Sequence, residues 1–144
     1  MKVKNLLEAK GNVVVSIDSN SSVDDAIKVM NSRKISAIIV TENSGTAGIF
    51  TERDVVRCYL TAGDKGFKAI AVKDAMTKNL VVAQMEDDLN DTMAVMVEKN
   101  IRHLPVIDGS TIIGMLSIRD IIQTQVGKLH AEIHYLKDYI MGNA

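Results

Sequence analysis

Two short stretches of this 144-residue chain set a hydroxyl, an arginine and an aspartate at the same spacing. One is Gly48-Ile49-Phe50-Thr51-Glu52-Arg53-Asp54; the other is Gly114-Met115-Leu116-Ser117-Ile118-Arg119-Asp120. In each, a glycine and a short apolar strand end lead into the hydroxyl, and an apolar helix pattern follows (Val55-Val56 and Ile121-Ile122). A hydroxyl at a helix N-terminus, among free backbone amides at the positive end of the dipole, suits a phosphate. An arginine two residues on can add a charge-assisted bond. An acid one turn into the helix can accept from the two hydroxyls of a ribose. The same residues also have a purely structural use. Thr or Ser at an N-cap with Asp three residues later is a capping box, and each cap contributes about 1 kcal/mol to helix stability. A single copy reads as a cap. Two copies suggest a nucleotide.

The elements that must position these residues can be read in order. Residues 3–9 are expected to form a short amphipathic helix ended by Gly11. Residues 13–17 (Val-Val-Val-Ser-Ile) read as a strand and 18–22 as a loop. Ser22 with Asp25 caps a helix of about ten residues, on which Val23, Ala26, Ile27 and Met30 share one face. Residues 36–40 form a second strand, 42–45 have hairpin-turn composition, and 47–50 form a third strand. Thr51 opens a helix to about Leu60. Residues 64–78 connect, with a short helical turn expected from Val72 to Met76.

The pattern then restarts 66 positions later, without an insertion from Val15/Val81 to Asp54/Asp120. Identities at this offset include Asp25/Asp91, Val29/Val95, Met30/Met96, Ile35/Ile101, Val40/Val106, Ser44/Ser110, Gly48/Gly114 and Arg53/Arg119. A match this long means one β-α-β-β-α unit used twice. The expected fold is α/β (α+β), with pseudo-two-fold symmetry. The expected division is 1–66, a first repeat with the N-terminal helix; 67–126, a second repeat; and 127–144, a helical extension. In that extension Ile122, Val126, Leu129, Ile133, Leu136 and Ile140 follow spacings of 4, 3, 4, 3 and 4. This is a heptad seam of about three repeats, suited to a helix–helix contact in an oligomer or to folding back on its own core.

Composition excludes several function classes. Net charge is −1, so no strong field points to nucleic acid or an anionic membrane. Five aromatic residues (three Tyr, two Phe) do not make base-stacking platforms. No apolar run has the length of a signal peptide core or a membrane helix, which leads to an expected cytoplasmic location. The single cysteine, Cys58, fits a reducing compartment and reads as a buried helix thiol. His130 and His134 stand at i, i+4 spacing without a third ligand, so no metal is expected. Met30, Met76, Met93 and Met96 read as core filling.

The repeated unit resembles a CBS domain (named from cystathionine beta-synthase), and two in tandem resemble a Bateman module. The likeness is carried by Ile101-Arg102-His103-Leu104-Pro105-Val106-Ile107-Asp108, by the two stretches around Asp54 and Asp120, and by Ala75-Met76-Thr77 before a strand. It covers residues from about 11 to 126, and the layout is similar to small stand-alone bacterial CBS-pair proteins. The resemblance implies a regulatory module that binds an adenosyl ligand (AMP, ADP, ATP, NAD or S-adenosylmethionine) in clefts between the repeats. The ribose-binding acid and phosphate-binding hydroxyl then fall on Asp54 with Thr51, and on Asp120 with Ser117. It further implies that Thr51, Arg53 and Asp54 face Asn79, Leu80, Val81, Arg102, His103 and Pro105. Ser117, Arg119 and Asp120 would face Ile17, Ser36 and Ala37. Arg102 and His103 would bring charge to the first cleft, while Ser36 and Ala37 bring none to the second. The Thr51/Asp54 set is therefore expected to be the better phosphate site. The first repeat departs from the family's proline, having Ile39 where the second has Pro105.

The expected function is a non-catalytic sensor that forms a homodimer and acts on an unknown protein partner. The competing readings are a structural dimerisation module with vestigial clefts and a nucleotide-hydrolysing enzyme. The enzyme reading lacks a nucleophile–base pair and a Gly-Lys-Ser/Thr phosphate loop.

Overall fold

The computed structural model describes residues 1–11 and 13–141. The chain divides into two compact units. One is Val13–Val81, and the other joins the N-terminal helix α1 (Val3–Lys10) to the chain from Val82 onward. The fold is mixed α/β, with a three-stranded sheet in each unit.

In the Val13–Val81 unit the order is β1 (Ser16–Asp18), α2 (Val23–Arg33), β2 (Ala37–Glu42), β3 (Gly45–Thr51), α3 (Glu52–Ala62), α4 (Gly66–Ala69) and α5 (Val72–Ala75). β1 pairs parallel with β2, and β2 antiparallel with β3. Ser22 caps α2 as its composition requires, accepting from the Asp25 amide at 3.0 Å. Asn43 and Ser44 turn the β2–β3 hairpin with φ of 50° and 65°, the left-handed pair of a two-residue turn that matches the twist of the strands. Val23, Ala26, Met30, Ile38, Val40, Phe50, Cys58 and Val72 form the core, so α2, the sheet, α3 and α5 share one apolar interior.

The second unit repeats this with β4 (Ala83–Gln84), α6 (Leu89–Glu98), β5 (His103–Asp108), β6 (Thr111–Ser117) and α7 (Ile118–Met141). Its sheet has the same order and senses, and the bulge at Val40/Thr41 recurs at Val106/Ile107. Leu89, Met96, Leu104, Val106, Leu116 and Ile121 are buried, as are Val3, Leu6 and Leu7 of α1.

Four sequence expectations change. The strand expected at 13–17 is shorter and shifted, Ser16–Asp18, taking in Asp18 from the expected loop, with one further bond from the Ile39 amide to the Val15 carbonyl at 3.1 Å. Its counterpart β4 has only two residues. Pro105 stands where Ile39 does and has no amide proton to donate, so the matching bond cannot form. The connection gains a helical turn, α4, ahead of the expected one at Val72–Ala75. The helical extension is continuous with the second repeat as a single 24-residue helix, about 36 Å long, without a break at 126.

The fourth change concerns α1, grouped by sequence with the first repeat. It is built into the second. Val3 and Lys4 donate to the Asp87 and Met85 carbonyls at 2.9 and 3.0 Å, and Leu89 donates to the Met1 carbonyl at 2.9 Å. The same three bonds occur in the other unit. Val72 and Lys73 donate to Ser21 and Ser19 at 2.7 and 3.1 Å, and Val23 to Ile70 at 2.9 Å. In each unit the turn between first strand and first helix is thus held by the lead-in segment that precedes the other repeat in sequence. No helix of the described residues is long and apolar enough to cross a membrane.

Candidate functional site

Both hydroxyl–acid sets sit where the last strand of a sheet passes into a helix. β3 ends at Thr51 and α3 begins at Glu52; β6 ends at Ser117 and α7 begins at Ile118. Gly48 and Gly114 precede them, and each is crossed closely by its lead-in segment. A Cβ on Gly48 would lie 2.5 Å from the Thr77 carbonyl oxygen and 2.8 Å from Met76 Sδ. One on Gly114 would lie 2.8 Å from Leu7 Cδ2. At Gly48 glycine is required, because the Thr77 backbone lies directly over the strand; at Gly114 the close atoms are the end of the Leu7 side chain.

Asp54 is almost wholly buried, at 1% exposure. Its Oδ2 accepts from the Thr51 amide at 2.9 Å and from the Thr51 hydroxyl at 3.3 Å. Its Oδ1 accepts from the Thr77 hydroxyl at 3.1 Å and from the Arg57 guanidinium. Arg57 also reaches Thr77 Oγ1 at 3.3 Å. Thr77 is itself tied to β3 by two backbone bonds with Ile49, at 2.8 and 3.0 Å. The carboxylate therefore fastens α3, β3 and the connection to one another.

Asp120 makes a reciprocal capping box with Ser117. The Asp120 amide donates to Ser117 Oγ at 3.0 Å, and the Ser117 amide donates to Asp120 Oδ2 at 3.3 Å. Lys10 at the end of α1 places its ammonium 2.6 Å from Asp120 Oδ2 and donates to the Met115 carbonyl at 2.5 Å. Unlike Asp54, this carboxylate keeps 27% of its side chain exposed. Partial burial pushes its pKa up, but the bonds from Lys10 and Ser117 together outweigh that and hold it below the ordinary aspartate value.

The other expected site residues fall as follows. Arg53 and Arg119 are exposed in the first turns of α3 and α7. Within the Val13–Val81 unit, the Ser36 carbonyl accepts from the Glu52 amide at 3.2 Å, and Ala37 pairs with Thr51. Within the other, the Arg102 carbonyl accepts from the Ile118 amide at 2.8 Å, and His103 pairs with Ser117. Ile17 is half-buried in β1 and Pro105 buried in β5. Asn79 is exposed, with Leu80 and Val81 half-buried, in the chain after α5.

Arg57, Thr77 and Lys10 were not expected at either acid. Arg57 could have been found as the i+3 neighbour of Asp54 on a helix. The lead-in segments also repeat in sequence: Val3-Lys4 and Val72-Lys73 correspond, as do Leu7 and Met76. Their offset is 69, not 66, which hides them from an ungapped comparison.

Chemically, each acid is surrounded by donors: amide, hydroxyl and a cation. Such a set compensates charge and can bind hydroxyls. Cys58 is buried, and desolvation raises its pKa, so it stays a thiol. No group of three or more His, Cys, Asp or Glu among the described residues is placed to hold a metal ion.

The family model for the CBS domain matches residues 11–61 and again 72–127, more than half of the chain. A CBS domain-containing mitochondrial protein of Arabidopsis thaliana, CBSX3, is 34% identical over 129 residues, covering 86% of this chain and 62% of that protein. The chain thus spans less than two thirds of that relative's length, and 60% of a Methanopyrus kandleri protein with which it shares 30% identity. Among solved structures, the CBS-domain protein ATU1752 of Agrobacterium tumefaciens superposes with a TM-score of 0.83 at 34% identity, covering 87% of this chain and 99% of that one. The CBS domain structure NE2398 gives 0.83 at 36% identity, covering 88% and 98%. Sequence repeat, fold and relatives agree: the chain belongs to the CBS domain family, with two CBS domains in tandem.

Proposed function

We propose that this chain is a non-catalytic regulatory module of a reducing compartment such as the cytoplasm. It binds an adenosyl ligand (AMP, ADP, ATP, NAD or S-adenosylmethionine), forms a homodimer and passes ligand occupancy to a protein partner. The observation that carries this is the pair of hydroxyl–Arg–Asp sets at helix N-termini, 66 residues apart, with one acid still partly open. Membership of the CBS family supports the ligand class. A related fold, the CBS domain pair of protein MJ0100 (22% identical, TM-score 0.77), was solved with 5-methylthioadenosine and S-adenosyl-L-methionine. Those are that protein's ligands, and they make adenosyl compounds the first to try here.

Of the two sets, we assign the ribose to Asp120, with Ser117 and Arg119 toward phosphate or its replacement. This reverses the ranking expected from flanking charge. Asp54 has no exposed carboxylate surface and already accepts from Thr51, Thr77 and Arg57, so a ribose there would have to displace them. That full engagement also favours a second reading for the first set alone: Thr51 and Asp54 serve the fold. Asn79, Leu80, Val81, Arg102, His103, Pro105, Ile17, Ser36 and Ala37 are the further positions to substitute.

Native mass spectrometry of freshly purified protein should reveal a co-purified adenosyl compound. Calorimetry with each ligand should then show binding that Asp120→Ala weakens at least tenfold. If no adenosyl ligand binds, the chain is a structural dimerisation module and the proposal fails. Turnover of ATP, ADP or NAD would overturn its non-catalytic part.

A further inference from the structure

Helix α7 leaves the second unit carrying an apolar seam that its own chain leaves open to solvent. Ile122, Val126, Leu129, Ile133, Leu136 and Ile140 are 49, 45, 55, 51, 55 and 78% exposed. A helix of a globular protein normally turns such a stripe to its core. The family match ends at residue 127, so the last four of these positions lie past what the CBS fold accounts for.

The seam has a definite register. Its spacing puts Val126, Ile133 and Ile140 at a positions, and Ile122, Leu129 and Leu136 at d. β-Branched side chains at a with leucine at d favour two parallel strands. The flanking charges agree. Glu132 falls at g and Lys137 at the next e. In a parallel, in-register pair g of one helix meets the following e of the other, so Glu132 meets Lys137 of the partner subunit, twice by symmetry. An antiparallel pair would set g against g and e against e, bringing Lys137 to His130 and losing both attractions. Gly127 falls at b, on the outside, where a Cβ would meet nothing within 4 Å. His134 and Asp138, at b and f, are 3.2 Å apart on the same outer face.

We propose that α7 pairs with α7 of a second copy of this chain as a parallel, in-register two-stranded coiled coil over residues 122–140. This deepens the homodimer reading above by naming the contact and its orientation, and it does not depend on nucleotide. The test uses the full chain in a Cys58→Ala background, without ligand. Val126→Cys and Leu136→Cys are each oxidised alone and as a mixture, and read on a non-reducing gel. Each variant alone should give a disulfide-linked dimer. Cross-linking only in the mixture means antiparallel helices, and no cross-linking means that something other than a second α7 covers the seam; either overturns the proposal. Independently, Glu132→Lys and Lys137→Glu should each raise the dimer dissociation constant about tenfold. The double exchange should return it to within about twofold of the parent. Single exchanges without effect, or a double exchange that does not recover, also overturn it. Cross-linking without adenosyl binding would leave this inference standing and sink the ligand reading; the reverse result would do the opposite.

Discussion

Asp54 and Asp120 occupy equivalent places in two copies of one unit, yet their surroundings differ. Asp54 meets a neutral hydroxyl from the connecting segment, Thr77, and an arginine of its own helix, and it is sealed from solvent. Asp120 meets a long, flexible lysine from α1, and a quarter of its side chain stays open. The difference arises in the lead-in segments. The one that crosses Gly48 continues from α5 through Met76 into Thr77, which lies against the acid. The one that crosses Gly114 is a helix of eight residues, so the group that reaches the acid comes from its far end. Equivalent aspartates can therefore become a structural clamp in one repeat and an available acceptor in the other.

That contrast can be broken or sharpened by substitution. The largest effect should come from Asp54→Ala. It removes a buried acceptor shared by Thr51, Thr77 and Arg57 and should destabilise the fold by about 3 kcal/mol, measured by urea unfolding. A loss below about 1 kcal/mol would mean that the acid is no clamp.

Next in size is the pair of glycines. Gly48→Ala drives a methyl into the Thr77 backbone and should cost about 2 kcal/mol. Gly114→Ala meets only the end of Leu7, which can swing aside, and should cost about 1 kcal/mol or less. Equal melting losses for the two would remove the distinction.

Asp120→Ala should change unfolding by only about 1 kcal/mol, the value of a cap, while costing at least tenfold in adenosyl affinity by calorimetry. Stability and affinity are thus expected to separate between the two acids.

The smallest effect is on pH. The folded-state pKa of Asp120 is lowered from 3.8, so its ion pair contributes stability above that value. The contribution is lost as pH falls through the lowered folded value. With both partners near the one-third exposure at which solvent screens strongly, it amounts to about 0.5 kcal/mol. Lys10→Met should therefore make the acid limb of a stability–pH curve shallower below about pH 4 and leave the neutral region nearly flat. An acid limb unchanged by the substitution would show that Lys10 does not hold the carboxylate in solution.

Much of this architecture was legible in the chain. The 66-residue offset, the cap at Ser22, the Asn43-Ser44 turn and the capping geometry at Ser117 all follow from contacts within a few residues, which composition and spacing report. The two-residue length of β4 could also have been reasoned out, because Pro105 cannot donate. The partners of the acids were harder to see. Lys10 and Asp120 are 110 residues apart, and only the docking of α1 on the second repeat brings them together. Arg57 was within reach of sequence reasoning, but Thr77, which meets it at the same carboxylate oxygen, arrives from the connecting segment.

The amino-acid order by itself determined two β-α-β-β-α repeats, a hydroxyl–arginine–aspartate set at each strand-to-helix junction, and the heptad seam of the last helix. These rest on local hydrogen bonds and on the period of apolar side chains. Only tertiary structure decided which aspartate is closed and which is open. A carboxylate's availability depends on the donors and the solvent around it, and here Thr77 and Lys10 reach the two acids from segments 23 and 110 residues away in the chain.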